Sequence, residues 1–197
     1  METSKKFDWK QGCTINFDMF TGLSKDVPMI KRNLSDLAGM FWDNDAYEKI
    51  IETENPVIYE YHSIEIPPTN GDLSFGYSVL YPGKVGDEYY FTKGHFHEKL
   101  YTAEVYHCIK GCGMILLENK SGDWKALEVK AGDICYVPKG YAHRSINVSE
   151  TEPLVTVFTY RSDAGHDYGT IEKKGFRKVI LEKSGSPQVA DNPKWIP

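Results

Sequence analysis

Gly94-His95-Phe96-His97, followed after a gap by Glu104, is the stretch that decides how this chain is read. It lies among runs rich in Val, Ile, Tyr and Phe, where the backbone favours strand. Successive side chains of a strand point to opposite faces, so His95 and His97 present both imidazoles on one side. Two imidazoles at that spacing can hold one metal ion. A second segment answers the first: Gly132, Pro138, Gly140, His143 and Asn147 stand in the order G-x5-P-x-G-x2-H-x3-N.

Working outward, strand signals dominate. Residues 57–62 alternate and end near Pro67-Pro68, and Asn70-Gly71 is a turn signal before a run over 73–81 that breaks at Pro82-Gly83. Residues 88–92 lead into His95. The run 103–109 ends at Gly111-Cys112-Gly113, and 114–118 ends at Asn119-Lys120-Ser121-Gly122, a hairpin. Runs at 124–129, 134–137 and 154–161 complete the series. Many short strands with glycine turns predict a mainly β chain, a sandwich or barrel. Before them, residues 1–30 read as irregular, and 34–53 as helical. Leu37, Met40 and Phe41 keep helical spacing, and Asp45-Ala46-Tyr47-Glu48 reads as a capping box opening a second helix.

A length of 197 residues suits one domain. It divides into an N-terminal extension with helices packed on the barrel (1–55), the barrel core (56–165) and a C-terminal loop and tail (166–197), extended over the surface after Gly185. Aromatics make up 13%, including 13 Tyr, which leans towards β. A net charge of −5 argues against a nucleic-acid partner. No apolar run approaches a membrane span, and the opening Met1-Glu2-Thr3-Ser4-Lys5-Lys6-Phe7 lacks the apolar core of a secretory signal. A cytoplasmic location is expected. Cys108 and Cys112 do not form a CxxC pair, so Cys13, Cys108, Cys112 and Cys135 read as reduced core thiols. His62 and His107, each alone in a strand, read as surface or core filler.

The two histidine segments resemble the signature motifs of the cupin superfamily. The resemblance implies a single cupin β-barrel, a jelly-roll-like double-stranded β-helix, with metal ligands at His95, His97, Glu104 and His143. The second motif fits at every position. In the first, Tyr89 stands where a glycine is usual and the gap from His97 to Glu104 is longer than in most cupins, so Glu98 competes as the carboxylate. That gap, together with Thr92-Lys93-Gly94-His95-Phe96-His97, Tyr106-His107-Cys108-Ile109-Lys110-Gly111-Cys112-Gly113 and Arg161-Ser162-Asp163-Ala164-Gly165-His166-Asp167-Tyr168-Gly169, is similar to the cupin-type (archaeal-type) glucose-6-phosphate isomerases. The similarity runs from the Phe17 region to about Ile180. It implies a homodimer that interconverts glucose 6-phosphate and fructose 6-phosphate, with one divalent metal per chain: iron, or else manganese, nickel or zinc.

The residues make chemical sense of that activity. Three imidazoles and a carboxylate leave open positions on a divalent ion for two substrate oxygens. Glu104 is the candidate to shuttle a proton through a cis-enediol, while a direct hydride shift would need no base. Tyr106 and His143 complete the catalytic candidates. Ser78, Thr92 and Gly94 are candidate phosphate donors, and Tyr59, Tyr106, Tyr160, His166 and Tyr168 candidate sugar contacts, with ordinary core packing as the alternative for each tyrosine. Lys93, opposite in parity to Thr92, reads as solvated. No nucleotide-binding glycine pattern occurs. Other readings are another metal-dependent cupin enzyme, a dioxygenase or a different sugar-phosphate isomerase or epimerase, and a non-catalytic sugar-binding cupin.

Overall fold

The computed structural model describes Asp8 and residues 10–197; the opening segment read above for a leader falls outside the described residues. In chain order the elements are β1 (Ile30–Asn33), a 3-10 turn (Leu34–Leu37), α1 (Asn44–Ile51), β2 (Val57–Ile64), β3 (Leu73–Leu80), β4 (Lys84–Val85) and β5 (Glu88–Tyr89). Then follow β6 (Glu104–Lys110), β7 (Cys112–Asn119), β8 (Trp124–Lys130), β9 (Ile134–Val137), β10 (Tyr141–Asn147) and β11 (Leu154–Arg161). The chain ends with α2 (Tyr168–Lys174), β12 (Lys178–Lys183) and β13 (Ser186–Asp191).

One layer is a six-stranded antiparallel sheet in the order β1-β2-β3-β11-β6-β9. The facing layer is built from β10-β7-β8 and extended by the segment after β5, which bridges Phe91 to Ile146 and His95 to His143. A third sheet, β13-β12-β5-β4, flanks it. This is a two-layer β-barrel of the cupin kind. The hairpin at residues 119–122 joins β7 to β8, whereas β6 and β7 part into different sheets at the Gly111–Gly113 turn.

The strands form where β-branched and aromatic residues alternate with turn glycines, and their inward faces fuse into one main core. The N-terminal helical region caps that core with Leu34, Leu37, Phe41 and Tyr47, all buried. Phe41 packs on Phe91 with centroids 4.4 Å apart. The cap of α1 is Asp43, whose side chain accepts from Ala46 N at 2.9 Å, not Asp45. Two start signals of the same type lie two residues apart, and the tertiary anchor selects the earlier one: Trp42 N donates to Glu88 on β5 at 2.8 Å.

Residues 166–197 differ most from the reading as loop and tail. They form α2 and a β12–β13 hairpin, because β12 finds a partner in β5 through the Leu181–Glu88 pair. The strand β1 is a second unforeseen element, paired along β2. Cys108 and Cys135 are buried thiols, but Cys13 and Cys112 are exposed, and all four are free. His62 is buried, with Nδ1 3.0 Å from Pro28 O and Nε2 accepting from Ser24 N, while His107 is exposed. No described helix is long and apolar enough to cross a membrane.

Candidate active site

The barrel brings the two sequence segments face to face. His95 N donates to His143 O at 3.2 Å and His143 N donates back to His95 O at 3.1 Å, a reciprocal clamp between the halves. Glu104, the first residue of β6, approaches from the opposite sheet. One nitrogen or oxygen from each of His95, His97, Glu104 and His143 lies within 4.8 Å of the others. Glu98 lies outside this group: it is exposed, and its carboxylate packs against Gly165. The longer gap bows the chain into a turn, which reset the strand parity and let Glu104 face inward.

Glu104 Oε2 is 3.0 Å from His97 Nε2 and 3.1 Å from His143 Nε2. Burial opposes its charge, yet the imidazoles of His143 and His97 beside it outweigh burial and hold the carboxyl well below the usual range. Burial, and then the neighbouring His143, drives His95 well below the usual imidazole pKa, so its ring is neutral with a free lone pair. Among the described residues His95 Nε2 has no hydrogen-bond partner, and His143 Nε2, although Glu104 Oε2 is 3.1 Å away, makes no hydrogen bond of acceptable geometry; both atoms are buried. A buried polar atom without a partner is costly, and here two of them converge beside an ionised carboxylate. That donor set, three imidazoles and one carboxylate, fits a divalent transition metal.

The cluster floors a cavity of about 220 Å³ between the two sheets. Ser78, Thr92, Gly94, Tyr59, Tyr106, Tyr160, His166 and Tyr168 all line it together with His95, Glu104 and His143. His166 and Tyr168 arrive through a second reciprocal bridge, Phe96 with Asp167, and the His166 ring stands 4.6 Å from that of His95. Burial, then the Glu104 carboxylate, raises the Tyr106 hydroxyl well above its ordinary pKa, which keeps it a donor. Tyr59 is pushed up to about 12, chiefly by burial.

Sequence reasoning missed several lining residues. Tyr61 and Ser63 share the parity of Tyr59 along β2, as does Glu65 just beyond its end, Ser145 that of His143, and Phe158 that of Tyr160. Counting in twos from the residues already chosen would have found them. Lys93 is only 21% exposed and pairs with Glu172 at 2.8 Å while lining the cavity, so it is not the freely solvated side chain expected.

A two-layer barrel with three histidines and one glutamate gathered at its centre places the chain in the cupin class. The chain matches the glucose-6-phosphate isomerase (GPI) family over residues 31–195. It belongs to that family. The glucose-6-phosphate isomerase of Pyrococcus furiosus is 45% identical over 187 residues, covering 95% of this chain and 98% of that one. Those of Thermococcus litoralis and Pyrococcus horikoshii are 44% and 42% identical with the same coverage. Among solved structures, an oxalate decarboxylase of Bacillus subtilis superposes with a TM-score of 0.45 at 22% identity, over 58% of this chain. The chain spans only 29% of that protein's length.

Proposed function

We propose that this chain interconverts glucose 6-phosphate and fructose 6-phosphate, a step of glycolysis and gluconeogenesis, with one divalent metal ion held by His95, His97, Glu104 and His143. The observation that carries the reading is the pair of buried, unpartnered imidazole nitrogens beside ionised Glu104, set in the cavity of a chain from this family. A divalent metal bound there supplies Lewis-acid stabilisation of the charge that develops on the substrate oxygens at C1 and C2.

The chain's own groups do the rest. Glu104, ionised and inside the cavity, takes the proton from one of the two carbons and returns it to the other through a cis-enediol, while the proton of the hydroxyl oxygen passes to the former carbonyl oxygen. Tyr106, held protonated, donates to the oxygen that gains charge. His143 is fixed by the clamp to His95 and by Tyr141 O, 3.4 Å from its Nδ1. At the phosphate end, Thr92 Oγ1 accepts from Ser145 N at 3.0 Å, which leaves the hydroxyl hydrogen free to donate into the cavity. Gly94 N, without an acceptor among the described residues, and Ser78 complete the phosphate donors. Tyr59, Tyr160, His166 and Tyr168 bind the sugar hydroxyls.

Iron is the resident ion in this reading, since mixed imidazole and carboxylate donors suit it. The working unit is a homodimer. Support comes from edge strand β9, which exposes Ile134 and Tyr136 at 66% and 60% and offers unpaired backbone. The location is cytoplasmic, because a sugar phosphate carries charge that does not cross a bilayer unaided.

The test is a coupled assay of fructose 6-phosphate conversion on protein stripped with a chelator and resupplied with iron, manganese, nickel or zinc. Turnover should vanish on stripping and return with metal. A folded protein that holds one ion per chain and turns over nothing would sink the activity.

A further inference from the structure

The segment carrying the phosphate donors does not pair regularly with β10. Phe91 pairs with Ile146 and Thr92 N donates to Ser145 O, but the next bridge is His95 with His143. Lys93 and Gly94 together therefore oppose the single residue Arg144, which is a β-bulge. Gly94 takes φ +75°, and a Cβ there would lie 2.7 Å from Phe176 Cε2 and 2.9 Å from His143 O. Freed from the ladder, Lys93 O turns outward and accepts from Arg144 Nη2 at 2.7 Å.

Arg144 is on the outer face of β10, opposite in parity to His143 and Ser145, and it is 5% exposed. Its guanidinium is sandwiched between Phe91 and Phe176, 4.1 Å and 4.3 Å from the ring centroids. The buried acids Glu88 and Glu118 lie near it and counteract the effect of burial on its charge. A buried charge held so firmly has a cost that a plain apolar residue would avoid. Among the described residues, its one side-chain hydrogen bond goes to the bulge.

We propose that Arg144 is a positioning residue for phosphate recognition: by holding Lys93 O outward it keeps the Lys93–Gly94 bulge in the shape that turns Gly94 N and the Thr92 hydroxyl into the cavity. The inference rests on the reading of Thr92 and Gly94 as phosphate donors. Lysine cannot replace arginine here, because only a planar guanidinium fills the slot between two rings while its fork reaches a carbonyl.

The test uses metal-loaded Arg144→Lys, Thr92→Val and the double variant. Melting temperature, metal per chain, KM and kcat for fructose 6-phosphate, and calorimetric binding of inorganic phosphate are measured. Arg144→Lys should keep one ion per chain and kcat within a few-fold, while KM and the phosphate Kd rise about tenfold, as expected for one displaced charged hydrogen bond. The double variant should bind phosphate no more weakly than the weaker single variant, since both act on one device. A folded, metal-loaded Arg144→Lys with the wild-type phosphate Kd, or effects that multiply in the double variant, overturns the inference. An unchanged phosphate Kd in Thr92→Val instead overturns the assignment of the phosphate end. If Arg144→Lys does not fold, Phe176→Leu loosens the same slot and should raise KM with kcat held; an unchanged KM there also overturns the proposal.

Discussion

His97 Nδ1 lies 2.8 Å from the Thr102 hydroxyl, and that hydroxyl donates onward to Lys99 O at 2.7 Å. The hydroxyl hydrogen is committed to Lys99, so Thr102 Oγ1 accepts from the Nδ1–H of His97. This leaves the lone pair of His97 Nε2 turned towards Glu104. The long gap between His97 and Glu104 thus has a use: it contributes the residue that orients one imidazole.

Removing that partner should loosen the metal. Thr102→Val keeps the shape of a buried side chain but leaves Nδ1–H with only the Thr102 carbonyl, 3.3 Å away. Metal affinity, read by competition with a chromogenic chelator, should fall about 10- to 100-fold. Wild-type affinity in this variant would rule out the orienting role.

Glu104→Gln separates charge from shape. The amide occupies the same space but neither balances the ion nor accepts a proton from carbon. We expect kcat to fall on the order of 10²- to 10⁴-fold in protein whose metal content has been restored and verified. A variant that carries metal and turns over near the wild-type rate would remove Glu104 from the chemistry.

Glu88 should make stability depend on pH. Burial, against the pull of Trp42 N, Arg144 and Lys194, raises its carboxyl to about 7 from 4.5. The folded state therefore holds this proton more tightly than the unfolded chain. The contribution is fully present below the unfolded pKa and is lost as pH rises through about 7. Over that window the loss is on the order of 3 kcal/mol. Glu88→Gln should flatten the difference between urea midpoints at about pH 5 and about pH 8, and equal slopes in both proteins would contradict it.

Gly94→Ala should be disproportionately harmful for one methyl group. The residue sits at φ +75°, and the new Cβ would press on Phe176, Arg144 and the His143 carbonyl at once. Strain of about 1–3 kcal/mol should lower the melting temperature, and KM should rise as the bulge distorts. The same change at Gly132, where a Cβ meets nothing, keeps the φ penalty without the clash and serves as the control.

Much of this protein is local, and what is local can be read in one dimension. Alternation and turn glycines give β2, β3, β5 to β9 and β11, though not β4 or β10, and the order of His95, His97, Glu104 and His143 matches the cupin motifs. Where parity was interrupted the reading branched. Between Glu98 and Glu104, only the turn through Lys99 and Thr102 decides which carboxylate faces inward. The sequence pattern points to Asp45 as the cap, and Asp43 takes that place because Trp42 is tied to Glu88. Residues 166–197 carry short, weakly periodic text, and α2, β12 and β13 exist because β5 offers β12 an edge and Asp167 is bridged to Phe96. The role argued for Arg144 is of the same kind: nothing in its neighbours along the chain announces two aromatic rings and a turned carbonyl. The sequence by itself determined a mainly β chain and the paired histidines, which follow from residue type and spacing, while the barrel and the four-donor set were what its resemblance to the cupins implied. The tertiary structure alone decided which atoms were left without partners, because a nitrogen is orphaned only when distant parts of the chain have excluded water from it.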